Sequence, residues 1–327
     1  MPRKTKQQKF AKAVNALSIA ALLCGGFVLV VVLVVVVAGI VTTHLRDASP
    51  APEVLALVAP HCSDDRAPSW AAAAEPFSIA VQAEAATLPE GMEQKIAIGA
   101  DAAYAQWREW LGENALLHSR INIRFLGDED QFRQIYGKPN TDEWTTTGFY
   151  RMRSNEALIL YTPAYRATAL GNAFHELSHL VTASHLGATP PWLNEGLAEY
   201  YETLHLVDGN VQFADNLLHL QMLRSQGPIS ISDMTALSRQ LWMKEDAQRR
   251  YASAWSFITF MMHSDDGQRT LQRVVQQAYT HRCEARPDLR KALEDYPGGL
   301  QSLQGDWLAW LDEQFTVLSE ETTDLAP

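Results

Sequence analysis

Apolar positions recur every three or four residues along residues 89–112, which is the spacing of one buried face of a helix. Residues 77–82 instead alternate between apolar and polar side chains, as a half-buried strand does. The same reasoning predicts further elements of this layer over residues 121–126 (a strand), 130–136 (a short helix) and 146–161 (a hairpin). The first part of the folded body is therefore expected to be a small layer of helices and strands.

Two helices are predicted next, joined by a tight connection. Pro163 suits the first position of a helix and Gly187 ends the segment, which predicts one helix over residues 163–185. The Gly-Ala-Thr-Pro-Pro connection reverses the chain, and a second helix is expected to begin near Pro191 with Thr189 as its cap.

After residue 201 the pattern predicts only helices, over residues 213–224, 231–241, 245–262, 268–279, 289–294 and 300–318. At 327 residues the chain is long enough for one sizeable core or two small ones. The pattern as a whole predicts the α+β class, with a small mixed sheet layer and helices followed by a mainly helical C-terminal part.

The helix predicted over residues 163–185 carries the residues of a candidate metal site. His175 and His179 are four positions apart, so their imidazoles leave the same helix face one turn apart and can bind one tetrahedral ion. Glu176 lies beside the first histidine, where its carboxylate can face the open coordination position and take a proton from water activated by the metal. This is the HExxH pattern of zinc hydrolases.

A catalytic zinc requires a third protein ligand, and the second helix offers Glu195. The five-residue connection is long enough to return the chain to the level of His179. Glu199 follows one turn later on the same face, where its carboxylate can accept the other ring N–H of a ligand histidine and fix its tautomer. Gly196, next to the ligand, is expected to let the two helices approach closely. The cofactor expected from these residues is Zn²⁺.

The sequence His-Glu-Leu-Ser-His followed by Trp-Leu-Asn-Glu-Gly-Leu-Ala-Glu-Tyr resembles the gluzincin metallopeptidases, in which HExxH is joined by a glutamate of the next helix. The nearer match is the peptidase-MA-like group of bacterial proteins. The resemblance implies that His175, His179 and Glu195 are the zinc ligands, and that Glu176 is the general base. The Gly-x-Met-Glu-Asn sequence with which the aminopeptidase branch holds the amino terminus of its substrate does not occur upstream, so exopeptidase activity is not implied.

Two further expectations come from this resemblance. Tyr251 stands in a segment similar to the tyrosine-bearing helix of peptidase-MA-like proteins, which implies a phenol that stabilises an oxyanion; the alternative is packing beside Trp255. In gluzincins the edge strand of the sheet pairs with an extended substrate, and residues 157–161 are the candidate here; the alternative is an internal strand without substrate contact. Histidines further along the chain, such as His205 and His219, show no ligand spacing and are interpreted as surface or cap residues.

The amino terminus carries five basic residues ahead of an uncharged run of 25 residues. Such a run is long enough to cross a bilayer and predicts one transmembrane helix over residues 17–41. The alternative is a cleaved signal peptide, whose apolar region is normally only about 7 to 15 residues long. The basic flank places residues 1–16 in the cytoplasm and the folded body outside, in the periplasm or the extracellular space.

The predicted organisation is a cytoplasmic basic tail (1–16), a transmembrane anchor (17–41), a proline-rich stalk (42–75) and a peptidase-MA-like zinc metallopeptidase domain (76–327). Cys62 and Cys283 lie in the external part, where an oxidising compartment permits a disulfide, and two free thiols are equally compatible. Residues 47–327 carry 21 basic against 38 acidic side chains, a net charge of −17 that argues against nucleic acid as a partner. The oligomeric state stays open.

The expected function is that of a membrane-anchored, externally facing zinc metallopeptidase acting on peptide or protein substrates. A catalytically inactive, zinc-stabilised binding module of the same fold is the alternative, because every ligand could be present for structure alone. Glu176 separates the two, because a structural zinc site is usually closed by four protein ligands and gains nothing from a carboxylate beside the first histidine. A third hypothesis, histidines in a core without metal, leaves Glu176 buried without a partner.

Overall fold

The computed structural model describes residues 77–324, with gaps at 117, 138–145, 152–153 and 285–287. The predicted tail, anchor and stalk lie outside these residues. Within the described part of the chain, no helix is long and apolar enough to cross a bilayer. The elements are, in chain order, β1 (Phe77–Glu84), α1 (Met92–Leu111), β2 (Ser119–Leu126), α2 (Glu129–Tyr136), β3 (Gly148–Arg151), β4 (Glu156–Leu160), α3 (Ala169–Leu186), α4 (Pro191–Glu202), β5 (Leu204–Val207), β6 (Asn210–Phe213), α5 (Leu217–Gln226), α6 (Ile231–Ala236), α7 (Arg239–Trp242), α8 (Ala247–His263), α9 (Asp265–Thr280), α10 (Arg290–Glu294) and α11 (Gly299–Asp324).

The first four strands form one mixed sheet in the order β1-β2-β4-β3. Strands β1, β2 and β4 are parallel, and β3 runs antiparallel to β4. The α+β class and the small mixed sheet predicted from the sequence are therefore confirmed. Most of the later elements are helices, as expected.

The sheet is covered by helices on both faces. Along β2 and β4 the side chains alternate, so that Phe125 and Ile159 enter the main core while Leu126 and Leu158 face the other side. Helices α1 and α3 contribute to the main core, and Phe132 of α2 packs on the opposite face. The helical face predicted for α1 is confirmed, since six apolar residues at helical spacing are buried on it, namely Met92, Ile96, Ala100, Ala103, Trp107 and Trp110.

Strand β4, which contains the run predicted to line a substrate cleft, is an internal strand. It lies between β2 and β3, and four of its five residues are buried. The assignment of residues 157–161 to the edge of the sheet is therefore wrong, and the alternative of an internal strand is correct. A continuous apolar run suits a strand that is buried on both faces. The edge next to it is the short strand β3.

Helix α3 begins at Ala169, six residues later than predicted. Residues 163–168 form turns with mostly exposed side chains, and burial starts where the helix starts. A helical turn without tertiary contacts gains little stability, because most helical stability in proteins comes from packing an apolar face. The end of the helix at Gly187 agrees with the sequence; this residue has a φ of 66°.

Helix α4 begins at Pro191 as predicted, but Thr189 is not its cap. Pro190 holds the cap position, and no side chain caps the helix. Gly196 allows a close helix approach, although the neighbour is α8 rather than α3. A Cβ atom placed on Gly196 would lie 2.6 Å from Ile258 Cγ1 and 2.9 Å from the carbonyl oxygen of Ala254.

The prediction that only helices follow residue 201 is wrong. Strands β5 and β6 form an antiparallel hairpin directly after α4. Asp208 and Gly209 join them with φ angles of 51° and 80°, the two positive values that a type I′ turn requires. An Asp-Gly pair between apolar runs is a hairpin signal that the sequence does contain.

Candidate metal centre

Helices α3 and α4 bring the three predicted ligands together. One ligand atom from each of His175, His179 and Glu195 lies within 4.8 Å of the other two. The Nε2 atom of His179 is 3.5 Å from Oε2 of Glu195. Ligand atoms about 2.0 to 2.2 Å from a tetrahedral ion are separated by about 3.4 Å, so this pair is spaced as two ligands of one metal ion would be.

The two oxygens of Glu195 have different partners. Oε2 faces His179, while Oε1 accepts a hydrogen bond from Asn194 Nδ2 at 3.3 Å and lies 3.6 Å from Arg239 Nη1. Burial on its own raises the pKa of this carboxyl, but His179, His175 and Arg239 outweigh it and lower the pKa to about 2. Glu195 is therefore ionised, as a metal ligand must be.

Glu176 is buried beside the candidate ligands, with only 4% of its surface exposed. Its Oε2 atom has no hydrogen-bond partner within the described residues. Burial raises the pKa of this carboxyl, against the opposing charges of His175 and His179. A buried carboxylate oxygen without a partner is costly, so its retention next to a candidate metal site points to a chemical role.

The strand that borders Glu176 is β3. A Cβ atom placed on Gly148 would lie 3.1 Å from Glu176 Oε1 and 3.3 Å from its Cγ. Among the described residues β3 is at the edge of the sheet, and no described strand pairs with its outer side, which lies next to the candidate base. The edge strand beside the candidate base is therefore β3, which is next to β4 in the sheet.

The Nδ1 atom of His175 has a different partner from the one predicted. It lies 2.8 Å from Glu202 Oε2 and 4.0 Å from Glu199 Oε1, so the ring N–H donates to Glu202. Glu199 instead accepts a hydrogen bond from His219 Nε2 at 2.8 Å. The reason is the reversal of the chain between α3 and α4. Helix α4 runs back along α3, and Glu195 near its start lies opposite His179. His175, one turn before His179 on α3, therefore lies opposite the end of α4, where Glu202 is.

Four glutamates lie around the two candidate ligand histidines. Burial lowers the pKa of His175, but the hydrogen bond and charge of Glu202, with the charges of Glu176 and Glu199, outweigh this and raise the pKa to about 10. A divalent cation would compensate carboxylates that are otherwise neutralised only in part. The titratable side chains of this region are the carboxylates Glu176, Glu195, Glu199 and Glu202 and the imidazoles His175, His179 and His219.

His219 is one of two residues of this region that sequence reasoning missed, the other being Glu202. The interpretation of His219 as a surface or cap residue is wrong, because it is partly buried and bonded to Glu199. It lies on a separate helix, α5, so helical spacing along α3 or α4 could not have indicated it. Glu202 follows Glu199 by three positions on the same helix, so helical spacing alone made it a second candidate.

Tyr251 lies near the site, at the start of α8. Its hydroxyl donates to Met243 Sδ at 3.5 Å, and its ring packs edge-on against Trp242 rather than Trp255, with ring centroids 5.9 Å apart. Burial, followed by the negative charges of Glu195 and Glu199, raises the pKa of this phenol. The hydroxyl therefore keeps its proton at neutral pH, as a hydrogen-bond donor must.

No protein-family model matches the sequence, and a search of the curated proteins gives no match. The specific part of the resemblance to gluzincins is therefore still the motif over residues 175–201. What the protein does has to be argued from the geometry of the site.

Proposed function

We propose that this protein is a zinc-dependent metallopeptidase of the gluzincin type, anchored in the membrane with its catalytic domain outside the cytoplasm. The observation that carries the proposal is the convergence of His175, His179 and Glu195 next to Glu176, a buried carboxylate with an oxygen that lacks a partner. Two imidazoles and one carboxylate are a ligand set of catalytic zinc, which leaves a fourth position for water or substrate.

Zinc in this site would supply a Lewis acid that activates water and polarises the scissile carbonyl. The remaining work falls to side chains of the protein. Glu176 takes the proton of the attacking water and passes it to the leaving amine, for which a pKa raised by burial is suited. Tyr251, whose phenol stays protonated, would donate a hydrogen bond to the oxyanion in place of its contact with Met243 Sδ.

The substrate of such a site is an extended peptide. Strand β3, the edge strand among the described residues, lies beside Glu176, and backbone groups of an edge strand can pair with the backbone of an added strand. Pairing there would hold the scissile carbonyl near the base.

The placement outside the cytoplasm has support from one cysteine. Cys283 is disulfide-bonded, and both other cysteines of the chain, Cys24 and Cys62, lie outside the described residues. Structural disulfides persist in oxidising compartments and are rare in the cytosol. This agrees with the orientation that the basic amino terminus predicts.

The proposal is tested by metal analysis of the full-length protein in detergent, together with cleavage of a peptide library. We expect one zinc per chain and cleavage that a chelator abolishes and added zinc restores. Glu195→Ala should lose most of its zinc, whereas Glu294→Ala, which removes an exposed glutamate paired with Arg290, should keep it. Full zinc occupancy in Glu195→Ala would contradict the ligand assignment. Zinc without any cleavage would instead favour an inactive binding module.

A further inference from the structure

His219 is held in place by three different helices. Its backbone N–H donates to Asn216 Oδ1 at the start of its own helix, α5. Its ring lies against Trp255 of α8, with ring centroids 5.6 Å apart. Its Nε2 atom donates to Glu199 Oε2 of α4 at 2.8 Å. A side chain held at both its backbone and its ring presents this N–H to Glu199 in one fixed direction.

Glu199 is one of two carboxylates that face the same N–H group of His175. Glu202 accepts that hydrogen bond at 2.8 Å, and Glu199 Oε1 lies 4.0 Å from the same Nδ1 atom. The two glutamates are three residues apart on α4, where like charges repel each other. Glu199 is also largely buried, with 12% of its side chain exposed, so an unpaired oxygen on it would be costly.

We propose that His219 is a positioning residue of the metal centre, acting on the ligand His175 through Glu199. Its N–H compensates one oxygen of Glu199, which fixes the other oxygen beside His175 and leaves Glu202 as the acceptor of the ring N–H. The ring orientation of His175, and with it the affinity of the site for the metal, then depends on α5. Substituting a residue that holds a metal ligand in place, without binding the metal itself, commonly lowers metal affinity by about 10- to 100-fold. The inference rests on the proposed metal centre.

Two substitutions separate the hydrogen bond of His219 from its packing. His219→Gln keeps an N–H donor near the position of Nε2 but removes the ring. His219→Phe keeps a ring against Trp255 but removes the donor. His205→Ala serves as the control, because this partly buried histidine is hydrogen-bonded to the backbone carbonyl of Thr203. For each full-length variant, zinc affinity is measured by competition with a chelator, and the absorption spectrum of the cobalt-substituted protein reports the ligand geometry.

We expect His219→Phe to bind zinc about 10- to 100-fold more weakly than wild type, with a changed cobalt spectrum. His219→Gln and His205→Ala should stay close to wild type. Wild-type zinc affinity in His219→Phe would overturn the inference, because His219 would then have no effect on the metal site. Equal weakening in the Gln and Phe variants would also overturn it, because the packing of the ring, and not its hydrogen bond, would then account for the effect. Absence of zinc from the wild-type protein would overturn both this inference and the proposed function. Tight zinc binding without peptide cleavage would overturn the proposed function alone.

Discussion

Gly148 on the edge strand β3 and Glu176 on helix α3 approach each other so closely that a Cβ on Gly148 would lie 3.1 Å from Glu176 Oε1. This contact connects the sheet to the candidate base. A side chain at position 148 would push Glu176 or the edge strand out of place. The absence of a side chain there thus preserves both the position of the base and the edge strand beside it.

Gly148→Ala is therefore expected to lower peptide turnover without loss of zinc. A shift of the base by a few tenths of an ångström should cost about tenfold, given that a misplacement of about 1 Å can cost 10²-fold. Turnover and zinc content of the purified variant are the measurements. Gly305→Ala is the control, since an added Cβ there has no neighbour within 4 Å. Unchanged turnover in Gly148→Ala would show that β3 does not border the reacting groups.

Tyr251→Phe isolates the hydroxyl from the ring. The ring contact with Trp242 is kept, so a purely structural Tyr251 predicts no change in activity. An oxyanion donor predicts a loss of about 10²- to 10³-fold in kcat with little change in KM or in zinc content. Tyr296→Phe, which removes a hydroxyl bonded to Asp306, should leave kcat at the wild-type value. If both variants turn over like wild type, the oxyanion donor has to be another group.

Gly196→Ala tests the contact between α4 and α8. The added Cβ would meet Ile258 Cγ1 at 2.6 Å and the backbone oxygen of Ala254 at 2.9 Å, and a backbone atom cannot move away cheaply. We expect a loss of about 1 to 3 kcal/mol in the free energy of unfolding, seen as a lower Tm of the zinc-free protein. Gly305→Ala, in the open helical position of α11, should raise stability by up to about 1 kcal/mol. Equal Tm values for the two variants would refute this packing.

The membrane topology is tested at the carboxyl terminus. A reporter that is active only outside the cytoplasm, fused after Pro327, should be active, because the basic residues keep residues 1–16 inside. The mature protein should retain its own amino terminus. A soluble form that begins beyond the predicted anchor, residues 17–41, would show that the apolar run is a signal peptide.

The convergence of the three candidate ligands could be predicted from the sequence because their relationship is local. His175 and His179 share a helix face through spacing alone, and Glu195 follows after one short connection whose reversal is marked by glycine and proline. Glu202 could not be chosen over Glu199 in this way. That choice depends on the register of α4 against α3, which tertiary packing sets.

The other missed features depend on contacts distant in sequence or on a local signal that was outweighed. His219 reaches Glu199 only because α5 packs beside α4, and β3 borders Glu176 only because of the strand order. The β5–β6 hairpin had its own signal in Asp208 and Gly209, which the helical patterns on either side outweighed. Sequence periodicity thus predicted the convergence of the three candidate ligands better than the residues that contact them.

The most direct test of a hydrolytic metal centre is the turnover of Glu176→Gln, measured with its zinc content. Glutamine keeps the size of the side chain and a hydrogen-bonding group but cannot accept the proton. We predict the same zinc content as wild type and a fall in kcat of about 10²- to 10⁴-fold. A Glu176→Gln protein that binds zinc and cleaves peptides as fast as wild type would contradict the proposed mechanism.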